Sequence, residues 1–165
     1  MDLQQGIKLK CFSRVQIVNP DGSIAGDSGL VGPNLLTNLG IQNFLAGAVM
    51  GNAASKQVSW MALGTGGLVA SDGTTLPNEV MSSTQRVSIT SKVFSSRTLQ
   101  AGSGTQYLYA TFTSGFLTGA GSNLSNIGLY AASTTNDTLF CGNTYNSSAC
   151  ASNQAVNCTY EIRLG

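Results

Sequence analysis

WMALGTGGLVASDGTTLPNEV, residues 60–80, is a short apolar run that enters a glycine-rich segment, Gly64-Thr65-Gly66-Gly67. A segment of this kind either cradles a phosphate behind a parallel strand or turns the chain out of an antiparallel sheet. A P-loop needs GxxxxGK[ST], with a lysine to reach the phosphates, and no lysine follows until Lys92. A dinucleotide fingerprint needs a third glycine where Val69 stands, inside a βαβ unit. Neither pattern fits. The glycines read as a turn, supplying positive φ as a strand leaves its sheet.

The flanking sequence supports an antiparallel fold. Residues 7–18, IKLKCFSRVQIV, alternate: Ile7, Leu9, Cys11, Val15 and Ile17 fall on one face, with Lys8, Lys10, Arg14 and Gln16 on the other. Phe12 and Ser13 break the pattern. NPDG at 19–22 is a turn signal, and a returning strand is expected through 23–31. Further strands are predicted at 58–63, 85–94 (Val87, Ile89 and Val93 inward), 105–113, 125–132, 137–145 and 155–164 (Val156, Cys158, Tyr160, Ile162 and Leu164 inward). One helix is predicted within 32–49. Asn34 is its expected cap, Leu35, Leu36, Leu39, Leu45, Ala48 and Val49 recur at helical spacing beside Phe44, and Gly40 weakens it. The expected fold is mainly β: a single domain over 1–165, an antiparallel β-sandwich of jelly-roll type with about eight strands and one short helix. The loosest segments are 64–79, 95–104, 114–124 and 146–154. Residues 1–18 are expected as an N-terminal strand or arm that contacts neighbours, by pairing with another chain's sheet edge.

Composition narrows the function. Charged residues make up 9% of the chain, the formal net charge is +1, and histidine is absent. Without clustered Lys and Arg there is no footprint for nucleic acid or an anionic membrane. Without histidine, Ser-His-Asp, Cys-His and HExxH chemistry are excluded. No segment approaches the ~20 apolar residues of a membrane span. The opening MDLQQGIKLKC carries an acid and polar residues where a signal peptide carries a basic region and an apolar run, so synthesis in a cytoplasm is expected. A chain this poor in charge suits a protein packed against neighbours.

The remaining candidate chemistry is thin. The acids are spread along the chain, and Asp21, Asp72 and Asp137 read as turn residues. Glu79 with Arg86 is expected to brace a loop against the next strand. A Ca²⁺ site at ASDG, 70–73, lacks surrounding acids. Cys11, Cys141, Cys150 and Cys158 have no CxxC spacing for zinc. Buried free thiols are the first reading, and a Cys141–Cys150 bridge is the alternative for a protein that meets an oxidising environment after assembly. The N-x-[ST] triplets at Asn123, Asn136, Asn146 and Asn157 are those expected by chance in a chain rich in Asn, Ser and Thr. Tyr107, Tyr109, Phe112, Tyr130 and Phe140 sit within strand patterns and read as core or inter-subunit packing, with a sugar-binding face as the alternative. No catalytic, cofactor-binding or metal-binding residue is assigned, and no cofactor is expected.

The order of the pieces resembles a known group. NLLTNLGIQNFLAG (34–47) is followed by VSWMALGTG (58–66), LPNEV (76–80), a basic alternating strand, SNIGLYAA (125–132), TLFCGNTY (138–145) and VNCTYEIRL (156–164). This order is similar to that of a loose group of small β-rich tailed-bacteriophage virion proteins: head decoration (cement) proteins, or domains of tail-fibre and baseplate-associated proteins. The similarity covers roughly residues 34–164. Members often carry an acid before I-G-L, where this chain has Asn126. The resemblance implies a non-enzymatic virion structural role. Decoration of the head comes first, by contacts with the major capsid protein or other virion proteins from a dimer or trimer. A tail or fibre-attachment protein is the alternative, and a carbohydrate-binding module is the third reading.

The alternation predicts that Val87→Asp, or a charge at Ile162, lowers the melting temperature by placing an unpaired carboxylate in the core. An unchanged Tm would show that these strand faces are misassigned.

Overall fold

The computed structural model of the protein describes residues 9–47, 56–80, 86–95, 104–117, 122–134 and 137–164. Eleven strands are found there: β1 (Leu9–Val18), β2 (Ile24–Asp27), β3 (Leu35–Leu36), β4 (Trp60–Gly64), β5 (Glu79–Val80), β6 (Val87–Ser88), β7 (Ser91–Ser95), β8 (Gly104–Phe112), β9 (Ser122–Tyr130), β10 (Leu139–Cys150) and β11 (Ala155–Leu164). They form two antiparallel sheets. The first has the order β2-β1-β11-β8-β7; the second has β3-β10-β9-β4-β5, with β6 also paired to β4. The fold is mainly β, and the sheets face each other across a core that includes Ile17, Met61, Leu63, Leu108, Phe112 and Leu129. The pairs are nested: β1 with β11, β3 with β10, β4 with β9, and β7 with β8.

Strong alternation put several strands where the sequence predicts them. β1 pairs with β11 over its whole length, from Leu9↔Leu164 to Val18↔Ala155. Ser13 does not break the alternation. It is buried among the inward side chains, and Asn143 of β10 donates a hydrogen bond to its hydroxyl. The NPDG turn closes with Gly22 N–H on Asn19 O, and β2 returns beside β1. β1 is therefore an interior strand. Its expected role as an arm that pairs with another chain's edge does not fit Leu9–Val18, whose backbone is bonded to β11 on one side and to β2, Val31 and Asn34 on the other. Ile7 and the rest of 1–8 lie outside the described residues.

Three other expectations are corrected. The helix predicted within 32–49 begins late. Leu35–Leu36 is strand β3, followed by α1 (Asn38–Gly40), which continues as a π-helix over Ile41–Ala46. Its cap is Thr37, whose hydroxyl accepts the Gly40 N–H, and not Asn34. Gly40 is more than a weak helix residue: a Cβ there would lie 2.1 Å from the Phe140 carbonyl oxygen, so only glycine lets the helix rest on β10. Ala48 and Val49 lie outside the described residues. The single strand predicted at 85–94 is two strands in different sheets, β6 and β7. The change of sheet resets the alternation, so Val93 is exposed, and Lys92, opposite Leu108, reaches the Val58 carbonyl instead of facing away. The loose segment expected at 146–154 is strand as far as Cys150.

The second sheet is covered on both faces. Its outer face carries Ala62, Tyr130 and Leu139, and the segment after β4 folds back to pack Val69 and Leu76 on them. β4 and the end of β9 are accordingly buried on both sides, which is why WMALG and NIGLY are continuous in small and apolar residues instead of alternating. Val87 and Ile162 are partly buried and packed against the main core, so a charge there costs less than at Met61 or Tyr160, which are fully buried.

The β9–β10 connection is held by Asp137. One carboxylate oxygen accepts the Ala131 and Ala132 N–H groups, both at 2.7 Å, and the other pairs with Lys56. Burial works to raise the Asp137 pKa, but the Lys56 ammonium and the N–H groups of Ala132, Thr138 and Ala131 outweigh it and hold the carboxyl below its ordinary range. A folded-state pKa below the unfolded value gives stability that is complete above about pH 4 and is lost as the pH falls through the folded value. Asp137→Asn is expected to lower Tm at neutral pH, with the gap to the unsubstituted protein closing in acid. A gap of the same size from pH 7 to pH 3 would remove Asp137 as its source.

Candidate functional site

Three of the segments quoted above, GTG (64–66), LPNEV (76–80) and SNIGLYAA (125–132), meet in one place. Gly64, at the end of β4, pairs with Asn126 of β9. Beyond it the chain runs beside residues 77–78: Thr65 N–H donates to Asn78 O and Gly66 N–H to Pro77 O, each at 3.1 Å. These N–H groups are consumed within the chain, so Gly64–Gly67 is a turn and not a phosphate cradle. Contrary to expectation, Gly64, Gly66 and Gly67 do not have positive φ; at Gly64 and Gly66 the approach is too close for side chains. A Cβ on Gly64 would lie 2.2 Å from the Asn126 side-chain oxygen, and one on Gly66 would lie 2.4 Å from Pro77 Cβ. The Asn126 amide donates to Pro77 O at 3.1 Å and to Gly66 O at 3.3 Å, and Ser125 Oγ donates to Gly66 O at 2.7 Å.

Next to this turn lies a buried ion pair. Arg86 Nε donates to Glu79 Oε1 at 2.7 Å and its Nη2 to Oε2 at 3.2 Å, while Nη1 reaches the Ala132 carbonyl. The Arg86 side chain is fully buried and that of Glu79 nearly so. The guanidinium lies 3.2 Å from the centre of the Tyr130 ring. The Tyr130 hydroxyl donates to Glu79 and accepts from Leu76 N–H. Burial, and then the Glu79 charge, push that hydroxyl's pKa far up, so it stays a neutral donor. The brace expected from Glu79 and Arg86 is present, and Tyr130, read from the sequence only as a packing aromatic, completes it. Only its place two residues beyond the glycine of I-G-L could have pointed to it.

The other candidates stay apart. Asp72 is exposed in a turn closed by Gly73 N–H on Ala70 O. Among the described residues no three His, Cys, Asp or Glu side chains come together as metal ligands. All four cysteines are buried free thiols. Cys141 and Cys150 occupy opposite ends of β10, roughly 25–30 Å apart at ~3.3 Å per residue, whereas a disulfide spans at most about 7 Å between Cα atoms. The alternative bridge is therefore excluded. Asn157 faces outward and accepts from Thr111, Asn123 and Asn146 are exposed, and Asn136 lies outside the described residues.

Two surfaces remain for contact with other molecules. On the outer face of the first sheet, Tyr107 and Tyr109 stand with ring centroids 6.4 Å apart and planes 16° from parallel. Across the strands, Tyr107 is flanked by Val93 and Glu161, and Glu161 by Phe12. Tyr109 is 38% exposed and Val93 48%. Two ion pairs close within this face, Arg14 with Asp27 and Arg163 with Glu161, and the Arg163 guanidinium lies 4.2 Å from the centre of the Phe12 ring, while Lys10, opposite Arg163, is exposed there and in no ion pair among the described residues. Between the sheets there is also a groove of about 450 Å³, lined by Leu9, Phe44, Leu108, Phe140 and Ile162, with Lys92 beside them. Phe112 and Phe140 belong to the core, and Phe116 packs edge-on against Phe112. Comparison of the chain with protein-family models, with curated proteins and with solved structures finds no match.

The Asn126 amide is a donor to two carbonyl oxygens, so an acid at this position fits poorly. Asn126→Asp would face a carboxylate toward Pro77 O and Gly66 O, at an expected cost of about 3 kcal/mol or more. Desolvation and the carbonyls raise the folded-state pKa of that carboxyl above its unfolded value. The deficit is therefore full at neutral pH and shrinks in acid, where a protonated carboxyl donates again. Chemical denaturation at several pH values reads this out, and an unchanged midpoint at pH 7 would rule out the donor role of Asn126.

Proposed function

We propose that this chain is a bacteriophage virion structural protein, and first a capsid decoration (cement) protein that stabilises the head lattice by bridging its subunits. One observation carries the reading. The GTG, L-P-N-E and S-N-I-G-L-Y segments, which give the resemblance, converge on a single brace around Arg86, Glu79 and Asn126, so they belong to one structural device and are not scattered turn signals. The outer face of the first sheet supports the partners proposed: the major capsid protein or other virion proteins, with the chain itself a dimer or trimer. Aromatic residues and arginine are enriched at protein interfaces, and the two ion pairs closed within the face cost less to cover than free charges would. Such a protein would act by mass action, each contact favouring the assembled shell over free subunits. It would be made in the host cytoplasm and reside in the virion, with no role for nucleic acid, membrane or catalysis. No described helix is long and apolar enough to cross a membrane.

The finer assignment of the sandwich to the jelly-roll type belongs to the same proposal. Its support is the nesting of the pairs, which is the plan of one long hairpin rolled on itself. A tail or fibre-attachment role is the alternative. The sugar-binding reading draws on the nearly parallel Tyr107 and Tyr109 rings.

The copy number of the chain relative to the major capsid protein, measured by quantitative mass spectrometry of purified particles, tests the proposal. A ratio near that of capsid subunits or capsomers is expected. A few copies per particle would move the protein to the tail or fibre, and absence from particles would overturn the structural role.

A further inference from the structure

The chain changes sheets between β2 and β3, and this crossing draws the two sheets together. Ser13 of β1 and Val31 exchange backbone hydrogen bonds of 2.9 and 2.8 Å in the first sheet. Asn34 N–H then donates to Cys11 O at 2.6 Å, and Leu36 pairs with Cys141 of β10 in the second sheet. The Asn143 amide ties the same corner, donating to Ser13 Oγ at 3.0 Å and to Val31 O at 3.1 Å. Cα atoms of β1 and β10 come within 8 Å of each other, closer than the ~10 Å usual between packed sheets, and the Asn143–Ser13 hydrogen bond joins the two strands directly. Cys11 lies one pleat from Ser13 on the inward face of β1, and Cys141 lies one pleat from Asn143 on β10. The chain from Val31 to Leu36 runs from the Ser13–Asn143 contact to the two cysteines. It therefore places Cys11 opposite Cys141, with the Tyr160 hydroxyl beside both. Each cysteine is 0% exposed.

We propose that Cys11 and Cys141 form a disulfide site that joins the two sheets, oxidised by a small-molecule disulfide while the sandwich is still open. The thiolate of one cysteine attacks the small disulfide and releases one equivalent of its thiol. The thiolate of the other then attacks the mixed disulfide and releases the second. The protein loses two hydrogens and the small disulfide is reduced to two thiols. Once the fold has closed, neither sulfur is reachable, and burial pushes the Cys141 thiol pKa up, away from the reactive thiolate. Oxidation therefore belongs to folding or to an opened state. The bridge would close a loop over most of the chain, which constrains the unfolded state strongly. This site does not depend on the virion reading.

The test uses the full chain, unfolded under reductant and refolded either with reductant or with a mixture of reduced and oxidised glutathione. Free thiols are then alkylated in denaturant and the protein is mass-analysed and peptide-mapped. Oxidative refolding is expected to leave two alkylatable thiols, to give a cross-linked peptide joining Cys11 to Cys141, and to raise Tm by roughly 5–10 °C. Cys150→Ala is expected to form the same bridge and Cys141→Ala to form none; if Cys141→Ala does not fold, the peptide map of the unsubstituted chain decides alone. Four alkylatable thiols after oxidative refolding, or a bridge through Cys150 or Cys158, would overturn the site. Equally fast oxidation of the folded, reduced protein would overturn its assignment to the open state.

Discussion

A guanidinium with no solvent contact has to be neutralised and hydrogen-bonded where it lies, and Arg86 sets this requirement for the second sheet. Glu79 answers its charge, the Ala132 carbonyl takes a further N–H, and the Tyr130 ring covers its face. The partners come from two parts of the chain. Glu79 sits at the sheet edge, Tyr130 ends the central strand, and Ala132 begins the next turn. Meeting the charge therefore fixes the return of residues 64–79 over the sheet. Val69 and Leu76 are carried on that return, and they seal the second apolar cluster. Burial of a charged pair is costly in itself, and its removal by halves costs more still, because the survivor is left unpaired in the core. Such a pair stabilises poorly on its own account but specifies strongly, here by allowing a single path for a loop rich in glycine.

The two faces of the sandwich are consequently unlike. The outer face of the second sheet is occupied by the protein's own loop. Among the described residues the outer face of the first sheet has no such cover, and it carries Phe12, Tyr107, Tyr109 and Val93 beside two ion pairs closed within the sheet. A partner meeting that face would bury aromatic surface and would have one unmatched charge, that of Lys10, to answer. This asymmetry gives the virion proposal a definite side of the molecule.

What could be read from the sequence follows from how many constraints act on each residue. β1 and β11 alternate because each has one buried and one outer face, and both were legible except at Phe12 and Ser13, which read as breaks in the pattern. The strands at 58–63 and 125–132 could be located, but their burial on both faces depends on a loop whose course is tertiary. Residues 85–94 failed because periodicity does not report a change of sheet, and Val93 and Lys92 exchanged sides. The helix start failed because Thr37 and Asn34 are both good caps by type, and only the packing on β10 chooses between them. The Glu79–Arg86 brace was legible from two opposite charges in a chain with few of them. Its third member, Tyr130, was not, since a buried aromatic in a strand looks the same whether or not its hydroxyl has a task. The Cys11–Cys141 neighbourhood also required the corner, because nothing local joins residues so far apart in sequence.

The pairing of β1 with β11 has a consequence for how the protein is made. The centre of the first sheet joins Leu9 to Leu164, so the middle of that sheet is the last part of it to be synthesised. Until β11 leaves the ribosome, β1 and β8 each present an open edge of unpaired backbone toward the strand still to come. Contacts this distant in sequence close slowly, and open strand edges at high concentration invite pairing between chains. Rapid synthesis of many copies would put the nascent chain in competition with itself, so the yield of folded protein should depend on how fast β11 finds its place between two waiting strands.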